Sequence, residues 1–217
     1  TDLGAGGADI LTVGKGAIAN ATVAAAWTAG ATTINNGTAN ITTNGLAVNL
    51  AATGGSVGYT VANIANTGIV ITGSKFSDTL ISGSGADTLI GGLGDDVYIV
   101  DLTATGTLQD TLTEVVGAGT DTIQLRGIST NASAATLTLA PNFENLDIRN
   151  TGSSMLNLTG NTVNNLMYGN AANNTLNGGA GNDTLTGGAG IDTFMVDGTD
   201  TITDLGAGGA DILTVGK

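Results

Sequence analysis

The chain can be written in nines. From Gly73 it reads GSKFSDTLI, SGSGADTLI, GGLGDDVYI, and from Gly160 it reads GNTVNNLMY, GNAANNTLN, GGAGNDTLT, GGAGIDTFM. After Met195 comes one irregular nine, VDGTDTITD, and then GAGGADILT from Gly206, one residue out of phase; the same nine stands at Gly4 to Thr12. The shared template is Gly-Gly-x-Gly-x-Asp-x-U-x, with U a large apolar residue. A period this short leaves few folds open. The first six positions suit a turn, because glycine accepts positive φ and close backbone approach. The last three suit a short strand whose middle side chain points inward. Two nines then close one coil, and stacked coils align parallel strands about 4.8 Å apart. The inward positions are Leu80, Leu89 and Tyr98 in the first block and Met167, Leu176, Leu185 and Phe194 in the second. One coil alone buries almost nothing, so stability has to come from stacking.

A longer period encloses the short one. Residues 1–15 and 203–217 both read TDLGAGGADILTVGK, an offset of 202 residues. Chance does not produce such a match. Either a unique domain is flanked by a duplicated 15-residue segment, or one unit is followed by the start of the next in a tandem array; the second reading is preferred. The blocks are then 1–15, the end of a preceding repeat; 16–72, an Ala/Asn/Thr/Gly-rich β segment expected to continue the solenoid; 73–99, the first block of nines; 100–159, coils without such turns; and 160–217, the second block and the start of the next copy.

Composition removes several function classes. Five Lys and Arg stand against 18 Asp and Glu, a formal charge of −13. Such a chain repels nucleic acid and anionic membrane surfaces. There is no Cys and no His, so disulfides, thiolate sites, His-based triads and zinc sites are excluded. Only 3% of residues are aromatic, which offers little for stacking on sugars. No run of 18 apolar residues occurs, and no basic region followed by an apolar core opens the chain, so neither a membrane span nor a signal peptide is expected in this stretch. An excess of carboxylate invites hard cations.

The sixth-position Asp is where that excess acquires a purpose. An 18-residue coil places turn n beneath turn n+2, with like charges a few ångströms apart that repel unless a cation lies between them. Two carboxylates and several turn carbonyls supply about six oxygens, which suits Ca²⁺ better than Mg²⁺.

These nines resemble the RTX (repeats-in-toxin) nonapeptides, which form calcium-bound parallel β-rolls in secreted bacterial proteins. GGLGDDVYI, GGAGNDTLT and GGAGIDTFM match the full template; SGSGADTLI and GAGGADILT each lack one Gly. The resemblance implies an all-β, right-handed parallel β-roll or β-helix solenoid with several Ca²⁺ ions. It also implies ligand sets made of sixth-position side chains and turn carbonyls. The first would join Ser74, Phe76 and Asp78 with Gly91, Leu93 and Asp96. The second would join Asn161, Val163 and Asn165 with Gly178, Ala180 and Asp183. The third would join Asn170, Ala172 and Asn174 with Gly187, Ala189 and Asp192. The fourth would join Gly188, Gly190 and Asp192 with Gly206, Gly208 and Asp211, across the one-residue insertion. Asp9 would act in the same way against a preceding copy. Asp87 is a further candidate, without an obvious partner coil. Asn165 and Asn174 stand in place of Asp, which lowers the charge of two sites. Phe76 and Val163 occupy positions where the template has Gly.

Outside the nines, Leu137, Leu139, Leu146, Ile148, Leu156 and Leu158 alternate with polar residues, as strands with one inward face do. ANATVAAAW and TLQDTLTEVVG are the two candidate short helices, and Trp27 is expected as core. Arg126 and Arg149 are expected to pair with nearby carboxylates, and a catalytic role for Asp95–Asp96 or Asp197, Asp200 and Asp204 is weighed and set aside for solvated or calcium-linked carboxylates.

The expected function is therefore structural and not enzymatic: a calcium-rigidified tandem unit of an extracellular bacterial protein that forms a filament, stalk or surface layer. The RTX resemblance implies export by a type I-like system. Its expected partners are identical neighbouring units, head to tail. An adhesin module binding a surface or glycan, or the calcium-binding secretion domain of an exported hydrolase, are the alternatives.

Overall fold

A computed structural model describes residues 2–4, 8–206 and 208–216. Among these residues every named strand pairs parallel and there is no helix. The chain is an all-β parallel solenoid. It divides into two compact units, residues 1–100 with 109–121, and residues 101–108 with 122–217.

In the first unit one sheet stacks Asp2–Leu3, Ile18–Val23, Thr38–Thr43, Thr60–Asn63, Thr79–Ile81 and Val97–Asp101 in that order. A second stacks Trp27–Thr28, Val48–Asn49, Val70–Thr72, Thr88–Ile90 and Thr111–Thr113, and a third stacks Thr12–Val13, Ile34–Asn35 and Gly54–Gly55. The register shows how the coil changes along the unit. Ile18 faces Thr38 and Asn40 faces Thr60, twenty residues apart. Thr79 faces Val97 and Leu80 faces Tyr98, eighteen apart, once the nines begin. The longer coils have room for three short strands, and the eighteen-residue coil has room for two.

The second unit stacks Thr122–Arg126, Asn145–Asn150, Leu166–Tyr168, Thr184–Thr186 and Thr201–Ile202 in one sheet. Its other sheet holds Ala135–Thr138, Leu156–Thr159, Thr175–Asn177, Thr193–Val196 and Ile212–Val215. Met167 faces Leu185 and Leu176 faces Phe194, again eighteen apart. The out-of-phase nine is taken up unevenly: Leu185 faces Ile202 at seventeen residues and Phe194 faces Leu213 at nineteen.

The core follows the template. Leu80, Leu89, Tyr98, Met167, Leu176, Leu185 and Phe194 are all fully buried, and so are the outer-coil leucines Leu137, Leu139, Leu146, Ile148, Leu156 and Leu158 or nearly so. Full burial of each such side chain stabilises by about 1.5–3 kcal/mol. Trp27 is buried, and its indole N–H donates to the Asp9 carbonyl at 3.3 Å.

The two candidate helices are strands. ANATVAAAW contains Ile18–Val23 and Trp27–Thr28, where Ala21 and Val23 point inward and their neighbours outward. TLQDTLTEVVG contains Thr111–Thr113, paired with Thr88–Ile90. Alanine and glutamate favour helix locally, but a preformed strand edge offers each segment a full ladder of backbone hydrogen bonds, and tertiary pairing overrides propensity. Arg149 pairs with Asp147 at 2.6 Å and lies over the Tyr168 ring, and Arg126 pairs with Asp101. Both cations are well exposed, so each pair contributes little, on the order of 0–1 kcal/mol.

Candidate metal centre

The turns of the nines carry a ladder built from backbone and carboxylate. In each case Oδ1 of a sixth-position Asp accepts the N–H of the sixth-position residue one coil earlier. Asp78 N–H donates to Asp96 at 2.7 Å, Asn165 N–H to Asp183 at 2.7 Å, Asn174 N–H to Asp192 at 2.7 Å, and Asp192 N–H to Asp211 at 3.0 Å. The ladder leaves the second oxygen free. Oδ2 of Asp96, Asp183 and Asp192 is buried without a hydrogen-bond partner among the described residues. A buried carboxylate oxygen without a donor is costly.

Further acids surround each of these oxygens. Burial pushes the Asp96 carboxyl up to about 8, and the charges of Asp78, Glu114 and Asp121 push the same way. Asp183 is raised by burial and then by Asp200 and Asp197; Asp192 is raised by burial and then by Asp211 and Asp204. Burial likewise lifts Asp78 to about 6 and Glu114 to about 7. These are the donors that a hard dication selects: anionic oxygens, poorly solvated, close to others of the same charge.

Glycine makes the fit possible. Gly188 and Gly190, second and fourth in their nine, have φ of +97° and +117°, conformations that side chains disfavour. The first-position glycines lie against the carboxylates. A methyl group on Gly187 would overlap Asp192 Oδ2, and one on Gly178 would overlap Asp183 Oδ2.

The structure stacks the expected ligand pairs, with differences in how their oxygens are engaged. In the first pair Leu93 N–H donates to the Ser74 carbonyl at 3.4 Å, below Gly91 and Asp96. Asp78, however, accepts from Tyr59 N–H and Ser74 N–H, both at 2.5 Å, so its two oxygens are engaged by the protein. Phe76 and Val163 do not adopt positive φ, unlike Gly94 at +108° and Gly181 at +131° one coil later. In the second pair Ala180 N–H donates to the Asn161 carbonyl at 3.1 Å, over Val163 and Gly178. In the third, Ala189 N–H donates to the Asn170 carbonyl at 3.0 Å, over Ala172 and Gly187.

Asn165 and Asn174 use their amides structurally. Asn165 accepts from Asn161 N–H at 2.9 Å and donates to the Phe143 and Glu144 carbonyls. Asn174 accepts from Asn170 N–H at 2.9 Å and donates to the Leu156 carbonyl at 2.7 Å. An amide N–H₂ bonds carbonyls directly where a carboxylate would need a cation.

In the fourth pair Asp192 meets Asp211 across the insertion, Gly206 N–H donates to Asp211 at 2.5 Å, and Gly208 packs on Ala189 and Gly190. Asp9 accepts from Gly4 N–H at 2.6 Å, the same turn closure in the other copy. Asp87 does find a partner coil. Its carboxylate accepts from Ile69 N–H at 2.8 Å, from Gly83 N–H at 3.1 Å and from the Asn63 amide at 3.1 Å.

Asp110, Glu114 and Asp121 belong to the ladder but escape the template. Asp87 N–H donates to Asp110 and Asp96 N–H donates to Asp121, at spacings of 23 and 25 residues. A signal existed: Asp110-Thr-Leu and Asp121-Thr-Ile repeat the Asp-Thr-Leu of the first two nines. Glu114 carries no such signature.

Compared with known protein families, residues 67–99 and 159–194 match the RTX calcium-binding nonapeptide repeat, in four copies. Repeats of this family bind calcium. No curated protein and no solved structure matched the chain.

Proposed function

We propose that this chain, bearing two blocks of RTX calcium-binding nonapeptide repeats, is a structural unit of an extracellular bacterial protein, rigidified by calcium and joined to identical units head to tail. Calcium that binds the folded turns and not the unfolded chain stabilises the solenoid by mass action. Inside a cell, where calcium is scarce, the acidic turns repel and the chain stays export-competent; outside, the ions close the coils. That behaviour suits passage through a type I-like exporter, and a filament, stalk or surface layer needs nothing beyond repetition of the unit.

The observation that carries the reading is the same 15-residue segment in two environments. In the first copy Leu3, Leu11 and Val13 are 0%, 7% and 2% exposed, because strands from residues 18 to 35 cover them. In the second copy the equivalent Leu205, Leu213 and Val215 are 54%, 46% and 69% exposed, and Ile212–Val215 is an open strand edge. The segment that covers the first copy is thus the segment that a following unit would bring to the second. An uncovered strand edge with an apolar face seeks a partner.

Hydrogen exchange tests this. In calcium, the amides of 204–215 should exchange faster than those of 2–13. Appending a second copy of residues 16–217 should slow the first set to the rate of the second. Unchanged exchange at 204–215 in the two-unit chain would refute the head-to-tail joint.

A further inference from the structure

We propose that Asp96, Glu114 and Asp121 form a calcium site that lies partly outside the nonapeptide repeats, with the Tyr98 phenol at its edge. The proposal rests on the calcium reading above and adds ligands from a coil that the repeat pattern does not include.

One carboxylate oxygen from each of the three residues lies within 4.8 Å of the others, and all three side chains are buried. Two oxygens on opposite sides of one Ca²⁺, each about 2.3–2.6 Å from it, stand about 4.6–5.2 Å apart, so this spacing fits one coordination sphere. The second observation is independent of the cluster. Asp96 Oδ2, on a fully buried side chain, has no hydrogen-bond partner. Its direction is given by Gly91: a methyl group there would overlap Asp96 Oδ2, Glu114 Oε1 and the Tyr98 hydroxyl together. Three oxygens from three parts of the coil therefore converge on the space that a missing side chain leaves.

The surrounding bonds orient them. Asp121 Oδ1 accepts from Asp96 N–H at 2.8 Å, which fixes the two turns on each other. Glu114 Oε2 accepts from its neighbour Val115 N–H at 3.2 Å, and Oε1 is bonded by Tyr98. The phenol accepts from Gly91 N–H at 2.5 Å. Three carboxylates within one such sphere carry a formal charge of −3 when ionised, and the positive groups needed to balance it are absent from their described ion pairs. Hard anionic oxygens without nitrogen or sulfur select calcium over softer metals. Glu114 reaches this place because the coil from Asp96 to Asp121 is seven residues longer than a coil of two nines, and the extra length forms the loop after Thr111–Thr113.

The test counts ions and reports on their place. Calcium stoichiometry by isothermal titration is compared for the wild-type chain, Glu114→Gln and Asp183→Asn. Glu114→Gln keeps the shape and should lose one ion, or weaken one site at least tenfold, leaving the others intact; Asp183→Asn should affect a different ion. Terbium, a luminescent stand-in for calcium, should emit on tyrosine excitation in the wild type, and Tyr98→Phe should remove most of that emission. An unchanged ion count and affinity in Glu114→Gln, or unchanged tyrosine-sensitised emission in Tyr98→Phe, overturns this site while the calcium reading of the repeats stands. A wild-type chain that binds no calcium overturns both.

Discussion

The free carboxylate oxygens make the calcium-free chain sensitive to pH in an unusual direction. Burial holds the Asp96 carboxyl at about 8 against an ordinary 3.8. Folding therefore raises its affinity for the proton. The stability that the protonated form contributes is full below about pH 4 and is lost as pH rises through about 8. Glu114, at about 7, and Asp78, at about 6, add to the loss in the same window. For Asp96 alone the gap corresponds to roughly 5 kcal/mol, at about 1.4 kcal/mol per pH unit. That is comparable with the whole stability of many domains, about 5–15 kcal/mol. Calcium at a thousandfold excess over its Kd returns about 4 kcal/mol per site, and it binds the ionised form. The assay is urea unfolding followed by circular dichroism at pH 5 and pH 8, in calcium-free buffer and in millimolar calcium. Without calcium the midpoint should fall by about 2 M or more from pH 5 to pH 8, for a slope of about 1–3 kcal/mol per M. With calcium the pH 8 midpoint should recover far more than the pH 5 midpoint. Equal midpoints at the two pH values without calcium, or equal calcium gains at both, would refute the argument that buried, mutually repelling carboxylates dominate the turns.

Two further expectations follow from the same geometry. Asp183→Asn removes a buried charge whose Oδ2 has no partner, so at pH 8 it should stabilise the calcium-free chain and destabilise the calcium-loaded one; a shift of the same sign in both states, read from the two urea midpoints, would contradict it. Leu185→Ala empties a fully buried inward position stacked between Met167 and Ile202, at a cost of about 2–5 kcal/mol in thermal or urea unfolding; a cost below about 1 kcal/mol would mean that the column of inward residues is not the core of this unit.

How much of this was legible in the sequence depends on where the period holds. Within the nines, two numbers sufficed: the inward residue is always the eighth, and the facing residue is eighteen positions away, as Leu80 with Tyr98 and Met167 with Leu185 demonstrate. The acidic side of the site was legible for Asp96, Asp183 and Asp192 for the same reason. Glu114 was not, since it lies in a lengthened coil where counting fails and where only the stacking of Thr111–Thr113 on Thr88–Ile90 sets its place. The two roles of the sixth position were also hidden. Asp and Asn share a shape, and only the carbonyls of Phe143, Glu144 and Leu156 above the amides explain why Asn165 and Asn174 need donors there. ANATVAAAW misled because alanine suits a helix in isolation, and the strand edge that captures it is distant in sequence.

The uneven coils carry a consequence for how such a chain changes over time. A one-residue slip within a strand would exchange inside for outside, since neighbouring side chains point to opposite faces. Yet this chain tolerates one extra residue before Leu213, five before Asp110 and seven before Asp121, because every addition falls in a turn and each Asp-x-apolar triplet keeps its facing. Position is thus written in triplets and not in residue counts. Turns are free to lengthen without cost to the core, and what they gain becomes material for novelty: the longest addition is the one that delivers a new carboxylate beside an old one.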